Sequence, residues 1–184
     1  MKKVLMIVQN NFENEARVIK EATSLGKNGY QVKVLALHND GLKEREEFEY
    51  FEVRRLHLST RDKLSKTNRY IQLIKYYEFY NKCIKEAKEY KPDIVHIHDI
   101  APLPIGVKLK KTLGCKLIYD SHELWSDVNG ASDNPKLICK LSNAYESRAV
   151  NKSDLIITVS DSIARHLEKI YNLKKPVKAI KNVP

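Results

Sequence analysis

Cysteine is scarce in this chain. Cys83, Cys115 and Cys139 are an odd number at wide spacing, with no Cys-x-x-Cys pair, which argues against both a disulfide framework and a structural zinc site. All three are expected reduced and mostly packed. Long apolar runs are also missing, for nothing approaches the roughly 20 residues that cross a bilayer. The start, Met1-Lys2-Lys3-Val4-Leu5-Met6-Ile7-Val8, has an apolar run of only about five residues and no small-residue cleavage site, so it reads as a first strand and not as a secretion signal. No Gly-x-Gly-x-x-Gly opens a helix, which counts against a nicotinamide dehydrogenase. Gly-x-x-x-x-Gly-Lys-Ser/Thr and Gly-x-Ser-x-Gly are absent as well, which removes P-loop nucleotidases and α/β serine hydrolases.

What is present describes one domain. At 184 residues the chain is long enough for one sizeable core and too short for two full α/β units. Charged residues at 30% and hydrophobic residues at 42%, in alternating segments, indicate a globular protein. The net charge of +10 suits phosphate-bearing substrates, anionic lipid or nucleic acid, and does not choose among them.

Strand and helix signals alternate along the chain. Residues 3–8 read as a strand. A helix with Ile19, Ala22, Leu25 and Gly26 on one face follows, capped at Asn11 or Asn14 and closed near Gly29. Residues 32–37 form the next strand, residues 38–51 an exposed polar excursion, and residues 52–58 a third strand. From Ser65 to Tyr90 the positions Tyr70, Leu73, Ile74, Tyr77, Ile84 and Ala87 recur at helical spacing. Tyr76, Phe79 and Tyr80 add a second stripe, available to a membrane surface or a partner if it is not simply packed on the sheet. The strand at Asp93–His98, a helix at 102–113 closed by Gly114, and a strand at 116–119 come next. Residues 124–135 are rich in turn formers and read as a lid or substrate loop. A helix at 136–151, a strand at 155–159, a helix at 161–171 capped by Ser160 or Asp161, and a strand at 177–180 complete the chain.

This alternation predicts an α/β fold: a doubly wound, mainly parallel Rossmann-like sheet of about seven strands with helices on both faces. In such sheets ligands bind beyond the carboxyl ends of strands, at the switch point. That places Asn10 and Asn11 beside His98 and Asp99, with the His98 ring lining an open groove. A histidine there donates, accepts or ligates near neutral pH. His96 and His98 share a strand face, the geometry of a metal pair, but no further His or Asp follows at dinuclear spacing, so a satisfied core histidine at 96 is the preferred reading. Asn10 and Asn11 are candidates for left-handed backbone, their amides approaching a phosphate or sugar, although this loop has no glycine. His122 and Glu123 suit sugar hydroxyls or simple capping of their loop.

Taken together, Asn14-Glu15-Ala16-Arg17-Val18-Ile19-Lys20-Glu21-Ala22, Pro92-Asp93-Ile94-Val95-His96-Ile97-His98-Asp99, Tyr119-Asp120-Ser121-His122-Glu123-Leu124-Trp125, Asp154 to Ser160 and Ile180-Lys181-Asn182-Val183-Pro184 resemble the amino-terminal, acceptor-side domain of a family 4 glycosyltransferase of the GT-B fold. The resemblance covers nearly the whole chain, 1–184, as a single domain ending at the interdomain hinge. It implies a retaining transfer from a nucleotide sugar to a glycan or lipid-linked acceptor, without cofactor or metal. It implies His98 at the transferring sugar, with Asn10, Asn11, Arg17, Asp99, His122, Glu123, Ser160 and Asn182 as substrate-binding positions. The partners implied are the nucleotide sugar and the acceptor, nucleic acid not among them; the basic charge and the Lys/Tyr helix fit peripheral contact with an anionic membrane from the cytoplasm. Two departures stand out: the first loop lacks the family's glycine, and the nucleotide-sugar domain with its Glu-x7-Glu motif is absent, so this chain alone is expected not to turn over. The competing readings are a metal-dependent hydrolase using His96, His98, Asp99 and His122, and a non-catalytic module paired with a separate donor subunit.

Overall fold

In the computed structural model, residues 1–63, 69–121, 144 and 146–181 are described. The order is β1 (Lys3–Ile7), α1 (Ala16–Lys27), β2 (Gln31–Leu37), β3 (Arg45–Glu47), β4 (Glu52–Leu56), α2 (Ser59–Lys63), α3 (Arg69–Tyr90) and β5 (Ile94–His98). It continues with α4 (Leu103–Leu113), β6 (Lys116–Ser121), β7 (Leu155–Thr158), α5 (Asp161–Tyr171) and β8 (Lys178–Ala179). Residues 146–150 are also helical.

The strands form one sheet in the order β3-β4-β2-β1-β5-β6-β7-β8, parallel throughout except for β3 against β4. The direction of winding reverses between β1 and β5, where Met6 lies opposite His96. This is the expected doubly wound sheet, with eight strands among the described residues where about seven were anticipated. The additional one, β3, lies inside the supposed excursion. Its Arg-Glu-Glu sequence has no apolar alternation to announce a strand. It forms because Arg55 Nη1 holds Glu46 at 2.8 Å, while Phe48 stacks on Phe51 at 4.5 Å across the turn. A charged, three-residue edge also discourages pairing with other chains.

Both faces of the sheet are buried, as a parallel sheet requires. Val4, Met6, Val32, Val34 and Val53 meet Val18 and Ala22 of α1 on one face. Leu5, Ile7, Val95, Ile97 and Leu117 meet Phe79, Leu103, Ile105, Leu109 and Leu167 on the other. Gly106 lets α4 sit close: a Cβ there would lie 2.6 Å from both Ile97 and Leu117.

Two local expectations are corrected. Helix α1 begins after Glu15, which makes no side-chain cap, so neither Asn11 nor Asn14 is its cap. More consequentially, the stripe expected on α3 divides: its Ala87 is buried and its Ile84 packs against the core, but its first four members do neither. Phe79, Cys83, Ala87 and Tyr90 form the buried stripe, while Tyr70, Leu73, Ile74 and Tyr77 are exposed. Both stripes have helical spacing, so periodicity alone could not orient the helix; the sheet selects the face with the longer unbroken stripe.

Candidate functional site

The site is built where β5 and β6 end beneath α1. Alternation along β5 turns Val95 and Ile97 into one core and His96 and His98 toward the α1 face. Opposite His98 in the ladder stands Asp120 of β6. Helix α1 lays Arg17 and Glu21, one turn apart, over these groups. The Arg17 guanidinium is bidentate on Asp120, Nε donating to Oδ2 at 3.0 Å and Nη2 to Oδ1 at 2.8 Å. Its Nη1 donates to the carbonyl of Ile180 at 3.2 Å, and Nε lies 3.0 Å from Glu21 Oε1.

His98 Nδ1 is 3.5 Å from Asp120 Oδ2, His96 Nε2 is 3.8 Å from Glu21 Oε2, and the two imidazole rings are 4.3 Å apart. Asp120 therefore serves Arg17 and His98 at once. A carboxylate beside Nδ1 favours the proton on that nitrogen and turns Nε2 away from it. Beyond His98 the chain bends sharply, Asp99 taking φ 68° with its N–H donating to the Asp120 carbonyl at 2.9 Å.

The expected site residues are distributed unevenly. Arg17 and His98 converge on the Asp120 carboxylate, whereas Asp99 meets the Asp120 backbone carbonyl through its own N–H and is exposed. The His98 ring is not in an open groove: the residue is 2% exposed, and its neighbours are Asp120 and His96. Asn10 and Asn11 lie in the loop after β1 but are engaged in shaping it. Asn10 Oδ1 accepts from Phe12 N at 3.0 Å, its Nδ2 donates to Glu15 at 2.6 Å, and Asn11 Nδ2 donates to Glu13. The left-handed residue there is Phe12, φ 57°, and neither asparagine. Ser160 is the cap of α5, accepting from Ile163 N at 3.3 Å. His122, Glu123 and Asn182 lie outside the described residues. Asp120 and Glu21 were not anticipated as site members; the signal that could have found them is a carboxylate inside an otherwise apolar strand, and an Arg/Glu pair at i and i+4 amid buried positions.

Glu21, His96, His98 and Asp120 place four potential metal-ligand atoms within 4.8 Å of one another. The chemistry of the set does not favour an ion, because the Arg17 guanidinium already lies against both carboxylates as their cation. Among the described residues the hydrolase set is not assembled either: Asp99 is exposed and outside this group, and His122 is not described.

A cavity of about 420 Å³ opens beyond the ends of β1, β2 and β4, lined by Gln9, Leu37, Leu58, Arg61, Gln72, Lys75, Tyr76 and Phe79. Its described lining carries two cations and no carboxylate.

The model for Glycosyltransferase Family 4 matches residues 15–183. Sucrose-phosphate synthase from Thermosynechococcus elongatus superposes with a TM-score of 0.75 at 12% identity, over 98% of this chain and 48% of that one. A glycosyltransferase from Rickettsia africae gives 0.61 at 16% identity, over 98% and 42%. The apo form of the lipopolysaccharide outer core galactosyltransferase WaaB gives 0.61 at 13%, over 100% and 46%. The chain thus spans about half the length of these structures, and at such identities they show the fold alone. No curated protein matches in sequence. With the family model spanning almost the entire chain and a GT-B domain's sheet beneath it, this chain belongs to Glycosyltransferase Family 4.

Proposed function

We propose that this chain is the acceptor-side half of a retaining glycosyltransferase, which moves a hexose-like sugar from a nucleotide sugar to a glycan or lipid-linked acceptor. The observation that carries the reading is the Arg17–Asp120–His98 network at the ends of β5 and β6, beside the reversal point where parallel sheets bind ligands. His98 is 2% exposed, so this reading requires the β5–β6 end to open before the ring, its orientation held by Asp120, meets the transferring sugar. In that position an imidazole stabilises charge developing between sugar and leaving phosphate, or guides the acceptor proton toward it. Asp99, Asn10, Asn11, Ser160, His122, Glu123 and Asn182 are the substrate-binding positions of this reading.

The cavity at Gln9, Arg61 and Lys75 receives the acceptor, its cations suiting a phosphate-bearing head. The nucleotide is gripped by a second domain, so these residues alone do not turn over, and no metal takes part. The acceptor is reached at the cytoplasmic face of an anionic membrane, which the enzyme contacts peripherally; among the described residues no helix is long and apolar enough to cross one.

The test is sugar transfer by a polypeptide joining this chain to a family donor domain, assayed with a panel of labelled nucleotide sugars. His98→Ala is expected to lower kcat at least a hundredfold with little change in donor affinity, and the 184-residue chain alone to show no transfer. Undiminished transfer by the variant removes His98 from the chemistry, and turnover by the chain alone removes the need for a second domain.

A further inference from the structure

A second cavity, of about 370 Å³, opens where β7 begins and α5 ends, at the opposite end of the strands from the Arg17–Asp120–His98 network. Small-molecule sites run from roughly 300 to 1,000 Å³. Ile156, Tyr171 and Leu173 give it an apolar wall. Ser153 lines it although the residue is fully buried, and its Oγ has no hydrogen-bond partner among the described residues. An unpaired buried hydroxyl is costly, so it calls for a ligand atom. Two neighbours in the lining are committed in a way that fixes what they offer. Asn151 Nδ2 donates to the carbonyls of Ser147 at 2.9 Å and Tyr171 at 3.1 Å, which leaves Oδ1 to accept. Ser147 Oγ gives its proton to the Tyr171 carbonyl at 2.9 Å, which leaves its lone pairs. Acceptors of this kind require hydroxyl donors in the ligand. Lys174 and Lys175 add positive charge, Lys175 Nζ also donating to the Ser153 carbonyl at 3.0 Å. The described lining holds no carboxylate, and the acids around it are engaged: Glu168 Oε1 accepts from Val177 N at 2.9 Å, Glu146 from the Tyr171 hydroxyl at 3.3 Å, and Asp154 pairs with Lys110 at 2.6 Å. The carbonyl of Glu168 at the end of α5 is taken by Leu173 N at 3.1 Å.

We propose that this cavity binds a small phosphorylated polyol, its hydroxyls on Ser147, Asn151 and Ser153, its carbon skeleton against the apolar wall and its phosphate on Lys174 and Lys175. A bare anion would leave the acceptors without donors. A neutral polyol would leave the two ammonium groups without a counter-charge, and a charge-assisted bond to phosphate is the stronger kind. The inference goes beyond the proposed function and does not depend on it, since sugar transfer is assigned to the carboxyl ends of the strands and this cavity flanks an amino end.

The experiment is titration calorimetry of the chain with ribose-5-phosphate and mannose-6-phosphate, and with ribose, mannose and inorganic phosphate as their separate parts, at constant ionic strength. At least one sugar phosphate is expected to bind tenfold or more tightly than either of its parts. Lys174→Gln with Lys175→Gln should weaken that binding tenfold or more, and Ser153→Ala threefold or more. Without ligand, Ser153→Ala should match or exceed the parent in Tm, because it removes a buried hydroxyl that nothing pairs. Failure of both sugar phosphates to bind at millimolar concentration overturns the proposal. Inorganic phosphate binding equally well overturns it too, as an adventitious ion only. Binding indifferent to the lysine replacements but lost in Arg61→Gln would seat the ligand in the cavity at Gln9 and Lys75 and would equally overturn it. So would a lower Tm for Ser153→Ala, since the hydroxyl would then be satisfied within the free protein.

Discussion

Arg17 and Asp120, 103 positions apart in sequence, form a buried two-bond pair at 3.0 and 2.8 Å, with 8 and 0% of their side chains exposed. Desolvating both charges is costly, so the pair contributes little net stability relative to an apolar substitute, whereas losing one member leaves the other buried and uncompensated. Arg17→Ala is therefore expected to destabilise by about 3–5 kcal/mol. Arg17→Lys should recover only part of this, since an ammonium cannot reproduce the planar fork. Urea unfolding of Arg17→Ala, of Asp120→Asn and of the doubly substituted chain completes a double-mutant cycle. A loss under about 1 kcal/mol for Arg17→Ala would falsify the pair's structural weight.

Arg55 is a second buried guanidinium, and it clamps two loops. It donates to the carbonyls of Asn11 at 3.0 Å and Lys43 at 2.9 Å, and pairs with Glu46 at 2.8 Å. Arg55→Ala should release the loop after β1 and the β3 edge together. Amide exchange near Phe12 and in Arg45–Glu47 is expected to accelerate in parallel; acceleration in one segment without the other would contradict a shared clamp.

At Gly106 the constraint is space. A methyl would have to displace Ile97 and Leu117 from 2.6 Å, and both are fully buried. Overpacking of this kind costs about 1–3 kcal/mol. Gly106→Ala should lower Tm and raise the unfolding rate, and Gly106→Val should do more. An alanine variant as stable as the parent would mean that α4 slides freely on the sheet.

Stability should also depend on pH through Glu78. Burial pushes its pKa up, but hydrogen bonds from the Thr60 hydroxyl, the backbone N–H groups of Thr60 and Ser59, and Lys82 outweigh this and bring it down to about 2. Because the folded value lies below the unfolded one, the carboxylate's contribution is fully present above the ordinary glutamate range near 4.5. It is lost as pH falls from there toward 2. Glu78→Gln should flatten the stability profile over that window and leave its shape above about pH 5 unchanged. An identical acid limb in both proteins would show that the capping of α2 is energetically idle.

The thiols give a simpler check. Cys83 and Cys115 are buried and free, and burial pushes both pKa values up. In the native protein both should react with a thiol reagent far more slowly than after denaturation, as thiolate is the reactive form.

Much of the scaffold was legible because parallel strands leave a dense signature. The β-branched run into His98, the glycine after Leu113 and the alternation of elements each have one physical reading, and β1 beside β5 followed from the winding rule. The exposure of the first turns of α3 was not legible, because Tyr70-Leu73-Ile74-Tyr77 and Phe79-Cys83-Ala87-Tyr90 satisfy helical spacing equally. Strand β3 carries no apolar signal at all; it exists through Arg55, whose partners lie 9 to 44 residues away. At the site, sequence pointed to His98 but not to its burial, since that depends on Arg17 and Asp120 meeting from opposite parts of the chain.

The third bond of Arg17, to a carbonyl 163 positions downstream, has a bearing on biosynthesis. A ribosome delivers this guanidinium early, Asp120 much later, and Ile180 later still. Until then the first helix can rest on the nascent sheet with its cation only partly satisfied, so the β5–β6 end closes only once Ile180 has emerged, and polypeptides stalled short of it are the natural clients of chaperones.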